Sequence, residues 1–95
     1  METNIKNDNN ILIGSNIKRI RQQKHIKPKE VVSKVQLLGV DINVFSLSKI
    51  EANTQHIKAS QFRAIAEVLQ VDYTELLKTS GEVQKENINK QEVDR

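Results

Sequence analysis

Residues 43–53 carry the side chains whose types and spacing point most directly to binding chemistry. An α-helix turns about 100° per residue, so the direction of each side chain follows from its position. If Leu47 and Ile50 face inward, the opposite face carries an aromatic ring, a cation, a hydroxyl and a small side chain: Phe45, Lys49, Ser48 and Ala52. Val44 and Ser46 then lie on the two boundaries. The question is what partner such a mixed face contacts.

Catalytic and metal-binding chemistry has little support elsewhere in the chain. There is no cysteine, so disulfides and thiolate metal sites are excluded. His25 and His56 are the only histidines and lie far apart in sequence, and the three glycines are too scattered for a phosphate-binding loop. We expect His25 to end the first helix and His56 to lie in a loop. The expectation is a protein without enzymatic activity, metal or cofactor.

Positive charge is concentrated in the middle of the chain. Residues 11–78 carry eleven basic and six acidic residues, a net charge of +5, whereas residues 1–10 and 79–95 each carry −1, giving +3 overall. A basic compact domain suggests an anionic partner, although surplus lysines also serve as a solvated face. We interpret residues 1–10 as a disordered lead and residues 79–95 as a flexible tail. No apolar run approaches a membrane span, so we expect a cytoplasmic protein.

The middle segment predicts five short helices and no strand, and therefore one all-α domain. Its core must consist mainly of Ile, Val and Leu, because aromatic residues are few and tryptophan is absent. Apolar residues at helical spacing mark the five helices: Ile13, Ile17 and Ile20; Val31, Val32 and Val35; Leu47 and Ile50; Phe62, Ile65, Ala66 and Leu69; and Leu76 and Leu77.

Three of these helices also have ends that particular residues mark. Pro28 suits the first position of the second helix. Asn43 is a good N-cap for the third helix, and Asn53 can end it in the left-handed conformation that glycine usually takes. Asp72 and Glu75 have the spacing of a capping box at the start of the fifth helix.

Three segments together resemble the Cro/cI-type helix-turn-helix domain of the Xre and lambda-repressor-like regulators. They are "IGSNIKRIRQQKHIKPKEVVSKV", "INVFSLSKIEAN" and "FRAIAEVLQVDYTELL", and the similarity covers residues 12–78. The most specific piece, "SLSKIEAN", matches the recognition helix of this family and the Ile-Glu that follows. The longer link "QLLGVDIN" is similar to a variant with extra residues in the turn before that helix.

The resemblance implies a compact five-helix fold in which residues 28–37 lie across the DNA backbone and residues 44–52 enter the major groove. By position, six residues match the DNA-facing residues of the family: Asn43, Val44, Phe45, Ser46, Ser48 and Lys49. The resemblance also implies a sequence-specific transcriptional regulator, a repressor, that binds a palindromic operator as a homodimer. We expect the fifth helix and the tail to form the dimer contacts.

Several positions depart from the family pattern. Lys27 and Pro28 stand where the family often has Ser or Thr followed by Gln, so DNA anchoring must come from the charge of Lys27 or Lys29. Lys58, just before the fourth helix, is a further candidate for a backbone contact. Val44 replaces an Arg or Gln, which removes bidentate hydrogen bonding to bases. Specificity then depends on contacts to thymine methyl groups and on DNA shape.

Two interpretations remain open for the apolar part of the face. Val44 and Phe45 contact DNA in the first; in the second they dock another protein, as in an antitoxin-like or anti-repressor module on the same fold. Arg21 and Glu51 match a family pair that joins the first helix to the end of the third, and we interpret both as structural. The usual glycine after the first helix is His25 here.

Overall fold

The computed structural model describes Glu2, residues 4–5, residues 12–79 and residues 81–83. The elements in chain order are the strand β1 (Asn4–Ile5), the helices α1 (Ile13–Gln23), α2 (Pro28–Leu37) and α3 (Val44–Glu51), the strand β2 (Ile57–Lys58), and the helices α4 (Ala59–Leu69) and α5 (Tyr73–Leu76). A further helical turn covers residues 81–83. The fold is therefore mostly helical, with a small two-stranded sheet.

Aliphatic side chains from all five labelled helices form one core. The apolar stripes of α1, α2, α3 and α4 all face this core, and Leu76 of α5 is fully buried within it. Ile42, just before α3, and Ile57 of β2 are buried beside them. The rings of Phe62 and Tyr73 lie 5.6 Å apart outside this set of buried residues. The predicted aliphatic core is confirmed.

Three helices end at non-glycine residues in the left-handed conformation, namely His25, Asn53 and Gln70, with φ of 57°, 61° and 57°. At Asn53 the backbone N–H donates to the Ile50 carbonyl, and the next N–H, of Thr54, donates to the Lys49 carbonyl. This pair of bonds is a Schellman motif, which satisfies the last carbonyls of α3. The predicted roles of Asn53 and His25 at helix ends are therefore confirmed, as is Pro28 at the start of α2.

The prediction that the chain forms no strand is wrong. β1 and β2 pair in antiparallel register, Asn4 opposite Lys58 and Ile5 opposite Ile57. Each strand is only two residues long, too short to show the alternating apolar pattern that identifies strands in a sequence. Burial of Ile57 and partial burial of Ile5 against the core explain why the pairing forms.

β1 lies within the segment for which we predicted disorder. Besides the strand, the Glu2 carboxylate accepts a hydrogen bond from the backbone N–H of Ser60, in the first turn of α4. Hydrogen bonding to Ser60 lowers the pKa of Glu2, with a smaller contribution from the charge of Lys58. The remaining residues of the predicted lead before residue 11, and those after residue 83 in the predicted tail, lie outside the described residues.

Two expectations about α5 are corrected. Asp72 is its N-cap, but its side chain makes no capping hydrogen bond, so the expected capping box is absent at this described helix. Leu77 is 39% exposed, whereas Leu76 is buried. α5 is only four residues long, so one turn of helix directs a single leucine to the core. Among the described residues, none of the helices has the length and apolar character needed to cross a membrane.

Candidate functional site

The outward face of α3 is solvent-exposed, as the helical geometry of its sequence predicts. Phe45 is 70% exposed and Val44 45%, whereas Leu47 and Ile50 are 0% and 1% exposed. Ser48 and Lys49 are exposed as well. We call Val44, Phe45, Ser48 and Lys49 the α3 face. The exposed ring of Phe45 beside the exposed Val44 makes the α3 face a candidate binding surface, and Leu37 and Leu38 at the end of α2 form a second exposed apolar pair.

Asn43 and Ser46 form a capping box at the start of α3. The Asn43 side-chain oxygen accepts a hydrogen bond from the Ser46 N–H at 2.7 Å, and the Ser46 hydroxyl accepts one from the Asn43 N–H at 3.1 Å. The Ser46 hydroxyl also lies within hydrogen-bond distance of both Asn43 oxygens. Both side chains therefore stabilise the helix start, and the Ser46 hydroxyl in particular is already engaged within the protein.

Lys49 and Phe45 form a joint surface one helical turn apart. The Lys49 ammonium lies 4.4 Å from the centroid of the Phe45 ring, within the range of a cation–π contact. At an exposed site such a contact contributes about 0.5–1 kcal/mol, enough to favour one arrangement of two otherwise mobile side chains. The α3 face thus presents a cation and an aromatic ring in a defined relative position.

A buried ion pair fixes the C-terminal end of α3 to α1. Arg21 donates from Nε to Glu51 Oε2 at 2.8 Å and from a terminal nitrogen to Oε1 at 2.9 Å, and its other terminal nitrogen donates to the Ile26 carbonyl. The hydrogen bond to Glu51 raises the pKa of Arg21. The pair that the resemblance implies is therefore present, in bidentate geometry, and both side chains are about nine-tenths buried.

Close backbone contact also joins these two helices. A Cβ atom added to Gly14, in the first turn of α1, would overlap the carbonyl oxygen of Ile50 and lie 2.8 Å from the Asn53 side-chain oxygen. The Asn53 amide donates to the Ser15 hydroxyl at 2.8 Å. Only glycine permits this approach, so Gly14 sets the position of α3 relative to α1.

The connection between α2 and α3, residues 38–43, is held by two glutamines. Gln36 donates from its amide to the Ile42 carbonyl at 2.8 Å. Gln61 of α4 donates to the Asp41 carbonyl at 3.1 Å and accepts from the Lys58 N–H at 3.0 Å. Gly39 adopts a φ of 81°, which allows the chain to turn after α2. Hydrogen bonds from two neighbouring helices thus hold this connection and orient α3.

The remaining predicted site residues lie on other elements. Lys27 is the N-cap of α2 and Lys29 its second residue, and Lys58 ends β2; all three are exposed. The structure thus joins Asn43 to Ser46, Phe45 to Lys49 and Arg21 to Glu51 by direct contacts. No direct contact joins the three lysines to the residues of the α3 face in the described part of the chain.

Sequence reasoning missed three residues that position the site: Gly14, Asn16 and Gln61. Asn16 is buried in α1, and its amide donates to the carbonyls of Leu76 at 2.8 Å and Lys78 at 3.0 Å, which joins α1 to the end of α5. The sequence carried a signal for two of them, because Asn16 lies next to Ile17 of the apolar stripe of α1 and Gln61 lies one residue before the apolar stripe of α4. Polar residues beside a stripe are often buried partners of backbone groups.

Comparison with known proteins returned no match to a family model, to a curated protein or to a solved structure. Within the described part of the chain, no group of three or more His, Asp or Glu side chains is arranged to hold a metal ion.

Proposed function

We propose that this protein is a sequence-specific DNA-binding transcriptional regulator, acting as a repressor, with the lambda-repressor-like helix-turn-helix fold. The observation that carries this proposal is the exposed α3 face, which stands on a helix whose two ends are fixed to the rest of the domain. In this proposal α3 enters the major groove of double-stranded DNA, and the α3 face contacts base edges there.

The dimensions of α3 suit this role. With its side chains an α-helix is about 10–12 Å in diameter, so α3 fits into the major groove of B-DNA, which is about 12 Å wide. Because the capping box fixes its start and the Arg21–Glu51 pair its end, α3 can dock without first becoming ordered. Such preorganisation reduces the entropic cost of binding.

The exposed lysines supply contacts to the DNA backbone. Lys27 and Lys29 flank the N-terminus of α2, where the helix dipole also favours an anion. Lys58 offers a third charge before α4. Phosphate contacts of this kind set affinity and orientation but not sequence preference.

The roles on α3 divide between positioning and recognition. Asn43 and Ser46 hold the helix start through the capping box, so we assign them to positioning first, with the free Asn43 amide available to a base or phosphate. Phe45, Val44, Ser48 and Lys49 remain available for DNA. Lys49 provides a positive charge and Ser48 provides a hydroxyl. Val44 and Phe45 provide apolar surface for contact with the bases.

A homodimer would bring two copies of α3 to two half-sites about 34 Å apart, which matches a palindromic operator. Tyr73 of α5 and Leu77 directly after it support a dimer contact at this short helix, because both are large apolar side chains left partly exposed. Sedimentation equilibrium tests this point: the wild-type chain should dimerise, and Tyr73→Ser together with Leu77→Ser should shift it toward monomer.

The test of DNA binding is a fluorescence-anisotropy titration. A labelled duplex from upstream of the gene for this protein is compared with a scrambled duplex at low and physiological salt. Tight binding to the upstream duplex alone supports the proposal, and the affinity should fall with salt because phosphate contacts release counterions. Weak binding to both duplexes that vanishes at physiological salt would contradict it.

A second candidate function is suggested by the same surface. Phe45 and Val44 form an exposed apolar pair of the kind that anchors protein–protein interfaces, as in an antitoxin-like or anti-repressor module. Binding to a protein partner that survives high salt and is lost in Phe45→Ala would favour this function over DNA binding.

A further inference from the structure

We propose that the α3 face recognises a thymine next to a guanine, with Phe45 packed against the thymine methyl group and Lys49 bound to the neighbouring guanine. This inference rests on the proposed DNA-binding function and deepens it, since it names the base step that α3 prefers. It begins from the contacts within the first turn and a half of the helix.

The first turn of α3 has few hydrogen-bonding groups left for bases. The Asn43 oxygen accepts from the Ser46 N–H, and the Ser46 hydroxyl is engaged with Asn43. Val44 and Phe45, between them, have apolar side chains. Apart from the Asn43 amide, what this turn offers a base edge is apolar surface, and the thymine 5-methyl is the apolar group that the major groove presents.

Lys49 supplies the complementary polar contact at a defined distance. Its ammonium lies 4.4 Å from the centroid of the exposed Phe45 ring. Stacked base pairs in B-DNA are about 3.4 Å apart, so a separation of 4.4 Å between ammonium and ring is compatible with contacts to two neighbouring base pairs. In the major groove a lysine ammonium pairs best with guanine, whose O6 and N7 are both acceptors. The cation–π contact thus links two readout elements into one recognition unit.

The experiment begins with selection of a preferred site from a randomised duplex library by the full chain. The selected duplex is then remade with deoxyuridine for the thymine, which removes only the methyl group, or with 7-deazaguanine for the guanine, which removes only N7. For the wild-type chain we expect about fourfold weaker binding from loss of the buried methyl and about tenfold from loss of the charged hydrogen bond.

Matched variants assign each effect to its residue. Phe45→Ala should bind the duplex equally well with thymine or deoxyuridine, and Phe45→Leu should keep part of the difference in affinity. Lys49→Met should bind equally well with guanine or 7-deazaguanine. Lys24→Met, which removes an exposed lysine at the end of α1, is the control and should retain both sensitivities. Circular dichroism melts verify that each variant is folded, as expected for exposed positions.

The outcomes separate this inference from the function on which it rests. A library that yields no preferred sequence contradicts DNA recognition itself. A preferred sequence that lacks a thymine–guanine step, or that binds equally well after both base changes, overturns this inference and leaves the proposed function standing. Sensitivity that persists unchanged in Phe45→Ala and Lys49→Met also overturns it.

Discussion

Gly14→Ala is the substitution for which the structure makes the clearest stability prediction. Alanine normally stabilises a helix relative to glycine by about 1 kcal/mol, so sequence propensity alone predicts a gain. In this fold the added Cβ would overlap the Ile50 carbonyl oxygen, which belongs to backbone and cannot rotate away. The Arg21–Glu51 pair and the Asn53–Ser15 hydrogen bond further resist movement of α3 away from α1.

The expected net effect of Gly14→Ala is a loss. Overpacking in a well-packed region typically costs about 1–3 kcal/mol, and overlap with a backbone atom belongs at the upper end of this range. After the gain of about 1 kcal/mol in helix propensity is subtracted, the net loss in the free energy of unfolding is about 2 kcal/mol. For a domain of this size each kcal/mol lowers the melting temperature by about 4–8 °C, which predicts a decrease of about 8–16 °C.

Thermal and urea unfolding followed by circular dichroism measure this change. Ser33→Ala, at an exposed position in the middle of α2, is the matched control and should be neutral or slightly stabilising. A Gly14→Ala protein as stable as the wild type or more stable would refute the close approach of α1 to α3, and with it our account of how α3 is positioned.

Three further substitutions test other parts of the structure. Arg21→Leu should destabilise the fold by about 3–5 kcal/mol because it leaves the Glu51 carboxylate buried and unpaired. Adding Glu51→Leu should recover most of this loss. A double-mutant cycle in urea unfolding measures both effects, and additive costs would contradict a coupled pair. His25→Gly should stabilise the fold by about 1 kcal/mol, because His25 adopts a φ of 57°, a left-handed conformation that favours glycine. A destabilised variant in the same urea-unfolding assay would argue against this conformation. Asn16→Ala should lower the free energy of unfolding by about 1–3 kcal/mol, because two hydrogen bonds to the end of α5 are lost. Amide hydrogen exchange should accelerate most around residues 73–78. Uniform acceleration along the chain would contradict a local link.

Much of the helical framework follows from local patterns. Ile13, Ile17 and Ile20 lie on one side of a helix by spacing alone, and their burial needs no further information. Asn43 and Asn53 mark the ends of α3 because their short polar side chains suit an N-cap and a left-handed residue. The outward direction of Phe45 and Lys49 follows from the same geometry once these ends are set.

The features that were missed depend on contacts between distant segments. β1 and β2 form because Ile5 and Ile57 meet at the edge of the core, and two-residue strands leave no pattern in the sequence. Gly14 resembles an ordinary helical glycine until the C-terminal end of α3 is brought against it. The capping box at α3 was not recognised because Ser46 occupies the position where Glu or Gln is usual.

The contact between Phe45 and Lys49 could be predicted from the sequence only in part. Their spacing of four residues predicts that both lie on one face, but the 4.4 Å contact between ammonium and ring depends on the rotamers of two exposed side chains. The helical elements and the outward face of α3 were therefore accessible from the sequence, whereas the short sheet and the detailed chemistry of the α3 face required the structure.

The most direct test of the central claim is a map of the DNA-contacting residues by NMR. Amide and side-chain resonances of the full ¹⁵N-labelled chain are followed during titration with the selected duplex at physiological salt. The proposal predicts the largest shifts in residues 43–49, with smaller shifts around Lys27 and Lys29 at the start of α2 and little change in α5. Shifts concentrated away from α3, with the α3 face unperturbed at saturation, would contradict a recognition helix at this position.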